Sequence, residues 1–355
     1  MSYKFGVIAG DGIGPEVVRE GLKVLDRASK IHGFEYELKE YPWGAEHYLA
    51  TGETMPSSAY DEYRLMDALL LGAIGDPRIE VGLLEREIIA GIRFTLDLFV
   101  NLRPIRCPAD HVCPIKDKTA KDIDMLVVRE NTEGAYSQVG GVFKKDTADE
   151  VAIAEMIYTR KGTERVIRYA FEEAMKTRRK HLTMVDKANA IRPQDLWTRT
   201  FEEVGREYPN VTTDHAYVDA ACMWMIKNPE AFDVVVTTNL FGDILTDLGS
   251  VLQGGMGVAA SGNIHPGQVS MFEPIHGSAP KYKGKNKANP LATILAVGMM
   301  LDHVGESVAA KDIEDTVVEL VASRRIPDLS SRSGLKTDEV GDLVVQSLSS
   351  TATER

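Results

Sequence analysis

The stretch 231-AFDVVVTTNLFGDILTDLGS-250 joins the two kinds of element on which the fold depends. Its apolar run 234–236 is typical of a buried parallel strand. The part that follows, 239–250, is mostly apolar, but it carries Asp243 and Asp247 four residues apart, so that both carboxylates would share one helix face. A strand that leads directly into a helix predicts an α/β fold, and the paired aspartates indicate a functional site.

The same alternation of strand and helix continues along the chain. Further apolar, strand-like runs lie at 5–8, 68–71, 124–128 and 182–185. Between the last two, segment 163–177 has apolar residues at helical spacing and predicts an amphipathic helix. Such alternation predicts an α/β architecture with a largely parallel sheet. Segment 138–155 alternates apolar and polar residues around a polar turn, which predicts a protruding hairpin.

Composition restricts the classes of function. The chain has 355 residues, enough for more than one domain, and a net charge of -12. This charge argues against nucleic acid or an anionic membrane as a partner, because both attract basic surfaces. Only three cysteines occur, none in a Cys-x-x-Cys pair, and no signal-peptide pattern or long apolar span is present. These features predict a cytoplasmic protein.

The glycine-rich segment 10–14 follows the first strand and precedes a helix that begins near Pro15. Glycines at such a position often form a phosphate cradle at a helix N-terminus. The spacing G-x-G-x-G, however, departs from the dinucleotide-binding pattern G-x-G-x-x-G. A tight turn that binds no phosphate is therefore an equally good interpretation.

The aspartates have two interpretations. Two carboxylates on one helix face repel each other, whereas a divalent cation such as Mg²⁺ or Mn²⁺ would be held by both. The alternative is a helix N-terminus, where the dipole favours acidic side chains. That alternative accounts for Asp243 better than for Asp247, which lies one turn further along. A third acid, Asp219, precedes another apolar helix.

Basic and phenolic residues lie near the predicted strand ends. Arg129 directly follows a buried strand, at the edge where α/β proteins bind ligands, and its guanidinium can bind a carboxylate bidentately. Arg93 and Arg103 are further candidates, although surface salt bridges are the ordinary role of arginine. Lys187 is either an exposed lysine or a partly desolvated general base beside a cation, and Tyr136 is a candidate proton donor. The set predicts a metal-assisted reaction on an acidic substrate.

Six ordered motifs resemble those of the β-hydroxyacid oxidative decarboxylases, the isocitrate/isopropylmalate dehydrogenase family. They are GDGIGPE (10–16), NLRP (101–104), VRENTEG (128–134), DKAN (186–189), NLFGDILTDL (239–248) and EPIHGSAPKYKGKNKANP (273–290). The resemblance extends from about residue 4 to 345.

The resemblance implies a two-domain α/β fold of the isopropylmalate-dehydrogenase type, not the usual Rossmann fold. Residues 1–101 and 254–355 would form a cofactor-binding domain, and 102–253 a domain for dimerisation and metal binding. The active site would lie between the domains of a homodimer and use residues of both subunits.

The resemblance also implies roles for individual residues. Arg93, Arg103 and Arg129 would bind the substrate carboxylates. Asp243 and Asp247 would bind Mg²⁺ or Mn²⁺, with Asp219 contributed across the dimer. Lys187, also from the second subunit, would take the hydroxyl proton, and Tyr136 would protonate the enol. The adenosine half of the cofactor would be held by His276, Gly277, Ser278, Ala279, Pro280 and Asn289.

The substrate is expected to be set by segment 82–93. Isocitrate-specific relatives carry a Ser and an Asn, which bind the additional carboxylate of isocitrate, at the positions of Glu87 and Ile89 in this chain. Glu87 would repel that carboxylate and Ile89 cannot form a hydrogen bond to it, so isocitrate is disfavoured as substrate. Ile88 and Ile89 suit an alkyl group, whose burial contributes roughly 1.5–3 kcal/mol. This predicts 3-isopropylmalate, and hence leucine biosynthesis. Asn131, in contrast, is shared with tartrate and D-malate relatives, which keeps D-malate or tartrate as the alternative.

The cofactor is expected to be NAD, with NADP possible. NAD-dependent relatives carry Asp after the H-G-S-A-P segment, whereas this chain carries Lys281 and Tyr282, a pair that resembles NADP-dependent isocitrate enzymes. A non-catalytic metal- or anion-binding protein with the same fold is the remaining alternative. Lys187 and Tyr136 argue against it, because binding alone requires neither.

Overall fold

The computed structural model describes residues 2–330 and 334–349. Its strands are β1 (Ser2–Gly10), β2 (Glu35–Tyr41), β3 (Ala68–Ala73), β4 (Val100–Arg106), β5 (Asp124–Glu130), β6 (Gly140–Phe143), β7 (Val151–Ala154), β8 (His181–Asp186), β9 (Thr212–Tyr217), β10 (Val234–Thr237), β11 (Ala260–Ile264) and β12 (Ser270–Pro274). Its α-helices are α1 (Gly14–His32), α2 (Ala45–Thr51), α3 (Ala59–Tyr63), α4 (Gly91–Thr95), α5 (Arg160–Lys176), α6 (Asp195–Gly205), α7 (Val218–Lys227), α8 (Asn239–Leu252), α9 (Leu291–His303), α10 (Ser307–Ala322) and α11 (Thr337–Ser347). None of the helices within these ranges is long and apolar enough to cross a membrane.

The α/β prediction is confirmed, with a difference at the centre of the sheet. The strands of the large sheet follow the order β2-β1-β3-β12-β11-β4-β5-β10-β8-β9. Both outer parts are parallel, as expected. In the middle, β11 pairs antiparallel with β12 and β4, and β4 pairs antiparallel with β5. These central strands join early and late parts of the chain in one sheet.

Buried side chains form separate cores on the two sides of this centre. One large core packs α1 and α9 with α10 and α11, and it draws its residues from both ends of the chain. Another packs α5 and α6 against β8 and β10, within the middle of the chain. This distribution supports a division into 1–101 with 254–355 and 102–253. The division remains a prediction, because β4 and β11 join both parts in one sheet.

The glycine-rich loop is used for close packing of two backbones. Gly12 has a φ of +57°, and a Cβ added to it would lie 1.9 Å from the carbonyl oxygen of Ser278. The amide of Ile13 donates to that same oxygen at 2.9 Å. The loop is therefore fastened to segment 276–280, which agrees with the interpretation as a tight turn.

The predicted hairpin is confirmed as the two-stranded sheet of β6 and β7. Both strands are exposed along their whole length, and they carry large apolar side chains. The exposed apolar residues are Val142, Phe143, Val151 and Ile153. Exposed apolar side chains on a hairpin of this kind are typical of a surface that another molecule covers.

Candidate active site

The centre of the sheet presents polar side chains on one face. Successive residues of a strand point to opposite faces, so that Asn101 and Arg103 of β4 share a face. Arg129 of β5 and Asn263 of β11 lie opposite Asn101 on the neighbouring strands. Hydrogen bonds link Arg103, Asn101 and Asn263 with Glu273 of β12. The strand pairing thus gathers residues that are far apart in the sequence.

The three arginines predicted to bind substrate meet at this face. Arg103 and Arg129 are 7% and 3% exposed, respectively, and Arg93 enters from α4. The guanidinium of Arg129 donates twice to the Oδ1 of Asn239, at 3.0 and 2.8 Å, and pairs with Asp243. That of Arg103 lies 3.6 Å from the same carboxylate. Arg103 and Arg129 are therefore buried, unlike the exposed arginines that form ordinary surface salt bridges.

The arginine cluster carries more positive than negative charge. Burial, together with the nearby charge of Arg129, lowers the pKa of Arg103 to about 9. Burial also lowers the pKa of Arg129. Two carboxylates, Asp243 and Glu273, oppose the three guanidinium groups. The Nε of Arg93 is buried without a hydrogen-bond partner in the described structure. The cluster is therefore suited to bind an anion.

Asp243 and Asp247 lie on the partly exposed side of α8. Because α8 begins at Asn239, Asp243 lies past the first turn, where the helix dipole has little effect. Burial alone would raise the pKa of Asp243, but Arg129 and Arg103 outweigh it, so that the pKa is lowered and the group is ionised. Asp247 is exposed one turn later. The two carboxylates offer hard oxygen donors on one helix face.

Tyr136 completes this half of the site. Its hydroxyl donates to the Oδ2 of Asp243 at 2.9 Å, and its ring centroid lies 5.6 Å from the guanidinium carbon of Arg129. Burial raises the pKa of Tyr136, and the charge of Asp243 raises it further. The phenol is therefore protonated at neutral pH and can donate a proton.

Lys187 and Asp219 form a second, separate pair. The Nζ of Lys187 donates to the Oδ1 of Asp219 at 2.6 Å, just after β8 and at the start of α7. This hydrogen bond lowers the pKa of the exposed Asp219 carboxyl. Within the described chain, no hydrogen bond or ion pair joins Lys187 or Asp219 to Asp243. A single chain also brings together no group of three acidic, histidine or cysteine side chains suited to a metal, as far as its described residues go.

The structure corrects the interpretation of Ile88. Its side chain is completely buried in the apolar core beside Leu84 and Ile92, so it has no surface to offer a substrate. Residues Glu85–Ala90 form a π-helical turn, which changes the phase of the segment. Ile89 is only partly buried and remains a candidate.

Asn131 is likewise buried. It is 2% exposed, and its amide donates to the carbonyl oxygen of Leu98 at 2.8 Å and to the Oδ1 of Asn263 at 3.0 Å. The side chain lies within the buried polar network beneath the arginines. Its bearing on the choice of substrate is therefore indirect.

The predicted cofactor segment forms a partly exposed loop after β12, in which Ser278 is buried. Ala279 has a φ of +40°, and Gly277, Pro280 and Lys281 are exposed. Burial lowers the pKa of His276, so its ring is neutral at pH 7. Lys281 places its ammonium 4.8 Å from the ring centroid of Tyr282. The loop therefore presents polar and cationic groups at the surface.

Asn289, in contrast, uses its side chain within the protein. Its amide donates to the carbonyl oxygen of Leu329 at 3.0 Å and accepts from the amide of Leu291, at the start of α9, at 3.0 Å. The side chain fixes the beginning of that helix. One donor and one acceptor position of its carboxamide are thus used within the protein.

Several residues of the site have roles that the sequence motifs do not indicate. Asn101, Asn239, Asn263 and Glu273 hold the three arginines, although none was assigned a role. For Asn101, Asn263 and Glu273 the signal is a polar residue in an otherwise apolar strand, whereas Asn239 is the first residue of α8. This signal becomes specific only when the neighbouring strands are known.

Comparison with known proteins agrees with this geometry. The sequence profile of the isocitrate/isopropylmalate dehydrogenase family matches residues 4–344. A 3-isopropylmalate dehydrogenase of Thermobifida fusca is 48% identical over 97% of each chain, and one of Nocardia farcinica is 49% identical over 96% of this chain and 98% of its own. The crystal structure of an isocitrate dehydrogenase from Methylococcus capsulatus superimposes with a TM-score of 0.87 at 36% identity, covering 98% of this chain and 99% of that one. The chain therefore belongs to the isocitrate/isopropylmalate dehydrogenase family.

Proposed function

We propose that the chain catalyses the metal-dependent oxidative decarboxylation of 3-isopropylmalate to 2-oxoisocaproate, a step of leucine biosynthesis, with a nicotinamide cofactor as hydride acceptor. The observation that carries the proposal is the cluster of Arg93, Arg103 and Arg129 beside Asp243 and Tyr136. Relatives at 48–49% identity that are named for this activity support it.

The arginines bind the two carboxylates of the substrate. Guanidinium groups form paired, charge-assisted hydrogen bonds to carboxylates, and these bonds are strong where water is excluded. The dianionic substrate offsets the excess positive charge of the buried cluster. Ile89, partly buried at the end of the π-helical turn, contacts the isopropyl group. The substrate is thus held at both its charged and its apolar ends.

Asp243 and Asp247 fit a divalent cation. Both present carboxylate oxygens on one helix face, and the lowered pKa of Asp243 keeps it ionised. Asp219 of a second copy of the chain supplies the third carboxylate. When bound, Mg²⁺ or Mn²⁺ polarises the substrate hydroxyl and the ketone that forms from it.

The dimer explains why the functional residues fall into two separate groups. Among the described residues, no hydrogen bond or ion pair links Lys187 or Asp219 to Asp243, which supports their contribution from a second copy of the chain. Exposed apolar side chains on α7 and α8 mark the surface where this copy packs. They are Met223, Trp224, Ile226, Ile244 and Val251. A patch of this kind is typical of a protein interface.

Two residues handle the protons of the reaction. Lys187 takes the proton of the substrate hydroxyl as hydride leaves for the nicotinamide. After the β-carboxylate departs as CO₂, the protonated Tyr136 gives its proton to the enol carbon. A protein without these two proton transfers would bind the metal and the anion but would not turn over substrate. This is the behaviour that the non-catalytic alternative predicts.

Turnover with both products measured tests this function. Incubation with 3-isopropylmalate, NAD and Mn²⁺ is expected to release NADH and CO₂ in equal amounts, and EDTA is expected to stop both. Equal amounts show that oxidation and decarboxylation are coupled. Metal-independent turnover, or NADH without CO₂, would contradict the proposed mechanism.

Lys281 is expected to loosen the preference for NAD over NADP. Its exposed ammonium, beside Tyr282, can pair with a 2′-phosphate, whereas an acidic residue there would bind the ribose 2′-hydroxyl. Lys281→Asp should raise the ratio of kcat/KM for NAD to that for NADP by about tenfold or more. Steady-state kinetics with both cofactors measures it. An unchanged, large NAD preference in both proteins would show that Lys281 does not contact the cofactor.

A further inference from the structure

We propose that Asn263 is a positioning residue. It lies in the middle of a buried series of hydrogen bonds that ends at Arg93 and Arg103, and it thereby fixes the distance between these two substrate-binding arginines. The inference rests on the proposed function, because it assigns the arginines to substrate binding. Asn263 itself touches no substrate. It lies beneath the cluster and is completely buried.

The chain of bonds runs across four neighbouring elements. Arg103 donates to the Oδ1 of Asn101 at 2.6 Å, and the amide of Asn101 donates to the Oδ1 of Asn263 at 2.9 Å. The amide of Asn263 donates to the Oε1 of Glu273 at 2.7 Å, and Arg93 donates to that same oxygen at 2.8 Å. Two arginines that are ten residues apart in sequence are thus connected through β4, β11 and β12.

The two arginines at its ends determine the direction of every hydrogen bond in this series. A guanidinium only donates, so the oxygen of Asn101 must face Arg103, and its NH₂ group must face Asn263. Asn263 then presents its oxygen to Asn101 and its NH₂ group to Glu273. Glu273 accepts from both sides as a carboxylate. No other orientation of the two amides satisfies both arginines.

Asn263 uses all four hydrogen-bonding positions of its carboxamide. Its oxygen accepts from Asn101 and, at 3.0 Å, from Asn131, and its NH₂ group donates to Glu273 and, at 3.3 Å, to the carbonyl oxygen of Met271. A buried amide saturated in this way has one orientation. The side chain is therefore a rigid connector, and an aspartate of equal shape cannot replace it, because it lacks the two donors.

The location of the connector gives it a role in substrate binding. Asn263 lies directly opposite Asn101, where β11 meets β4 and the late part of the chain joins the middle part. Glu273 and Arg93 lie on one side of this junction, and Arg103 lies on the other. Any change at Asn263 therefore alters the position of one arginine relative to the other, without touching the loop at 276–281.

The test compares Asn263→Asp with Thr200→Val. The aspartate keeps the shape of the side chain but places its carboxylate beside that of Glu273. The two carboxylates repel each other, so Glu273 moves and Arg93, which is bonded to it, moves with it. The control removes a buried hydrogen bond of 2.6 Å, from Thr200 to the carbonyl oxygen of Leu196, in α6. We expect Asn263→Asp to raise the KM for 3-isopropylmalate about tenfold, the loss for one misplaced charge-assisted bond, with the KM for NAD unchanged. Thr200→Val should leave both KM values unchanged.

Calorimetric titration of 3-isopropylmalate into the Mn²⁺-loaded protein measures the same effect without turnover. If Asn263→Asp does not fold, Asn263→Ser leaves the net charge of the site unchanged, and the same selective weakening is expected because the shorter side chain cannot connect Asn101 with Glu273. Unchanged KM and affinity in a folded variant would overturn the positioning role. If the wild type binds the dicarboxylate but does not oxidise it, the proposed function fails while the inference is still tested. A wild type that binds no dicarboxylate contradicts both.

Discussion

Lys187→Ala is expected to lower kcat by about 10²–10⁴-fold, the usual contribution of a positioned acid or base. The substitution removes the group that takes the hydroxyl proton. Since ammonium is not a metal ligand, the affinity for Mn²⁺ should stay within a few-fold of the wild type. Steady-state kinetics and a Mn²⁺ titration measure the two quantities. Surviving turnover would show that another group is the base.

Mixed dimers test whether Lys187 acts across the subunit boundary. Asp247→Asn is expected to be inactive because it disables the metal site, while it leaves Lys187 intact. Each mixed dimer with Lys187→Ala then contains one intact site, so random reassembly should restore about a quarter of the wild-type activity. Two inactive proteins that remain inactive after unfolding and reassembly would place both residues in the site of the same chain.

Arg103→Met is expected to lower kcat/KM for the hydroxy acid by about 30- to 5,000-fold, which corresponds to roughly 2–5 kcal/mol for truncating one partner of a buried charged pair. Arg103 is almost fully buried, and its side chain is fixed by Asn101 and Thr246 at 2.6 and 2.5 Å. Methionine keeps the apolar length of the side chain without its fork of donors. Steady-state kinetics and circular dichroism give the loss and confirm the fold.

Arg106→Met is the matched control for this change. Arg106 belongs to the same strand but is exposed on the other face, where it pairs with Asp124 and Glu314. Exposed pairs contribute little, so kcat/KM should change by less than a few-fold. Equal losses in the two variants would mean that net charge, and not the buried cluster, binds the substrate.

Much of the architecture was predictable because it is local. The run 234–236 followed by the helical segment 239–250 predicts β10 and α8, and the alternating pattern in 138–155 predicts the hairpin. The order of the strands was not predictable in this way. The antiparallel pairing of β4 with β11 joins residues about 160 positions apart, and no periodicity within either strand encodes it.

The candidate site shows the same limit. Arg129 follows the end of a predicted strand, and Asp243 shares a helix face with Asp247, so a functional role for both could be predicted from the sequence. Ile88 was misjudged because one π-helical turn changes the phase on which the helical projection depends. Asn263 was missed because a buried asparagine in a strand resembles an exposed one until its partners are known.

We infer that the arginine cluster and Ile89 together select 3-isopropylmalate. The most direct test is the rate of NADH or NADPH formation, in the presence of Mn²⁺, from 3-isopropylmalate, D-malate, D-isocitrate and tartrate, each with both cofactors. We expect the highest kcat/KM for 3-isopropylmalate, because only this substrate of the four has an alkyl group that can pack against Ile89. A higher kcat/KM for D-malate or tartrate would contradict this inference and would show that the alternative indicated by Asn131 is correct.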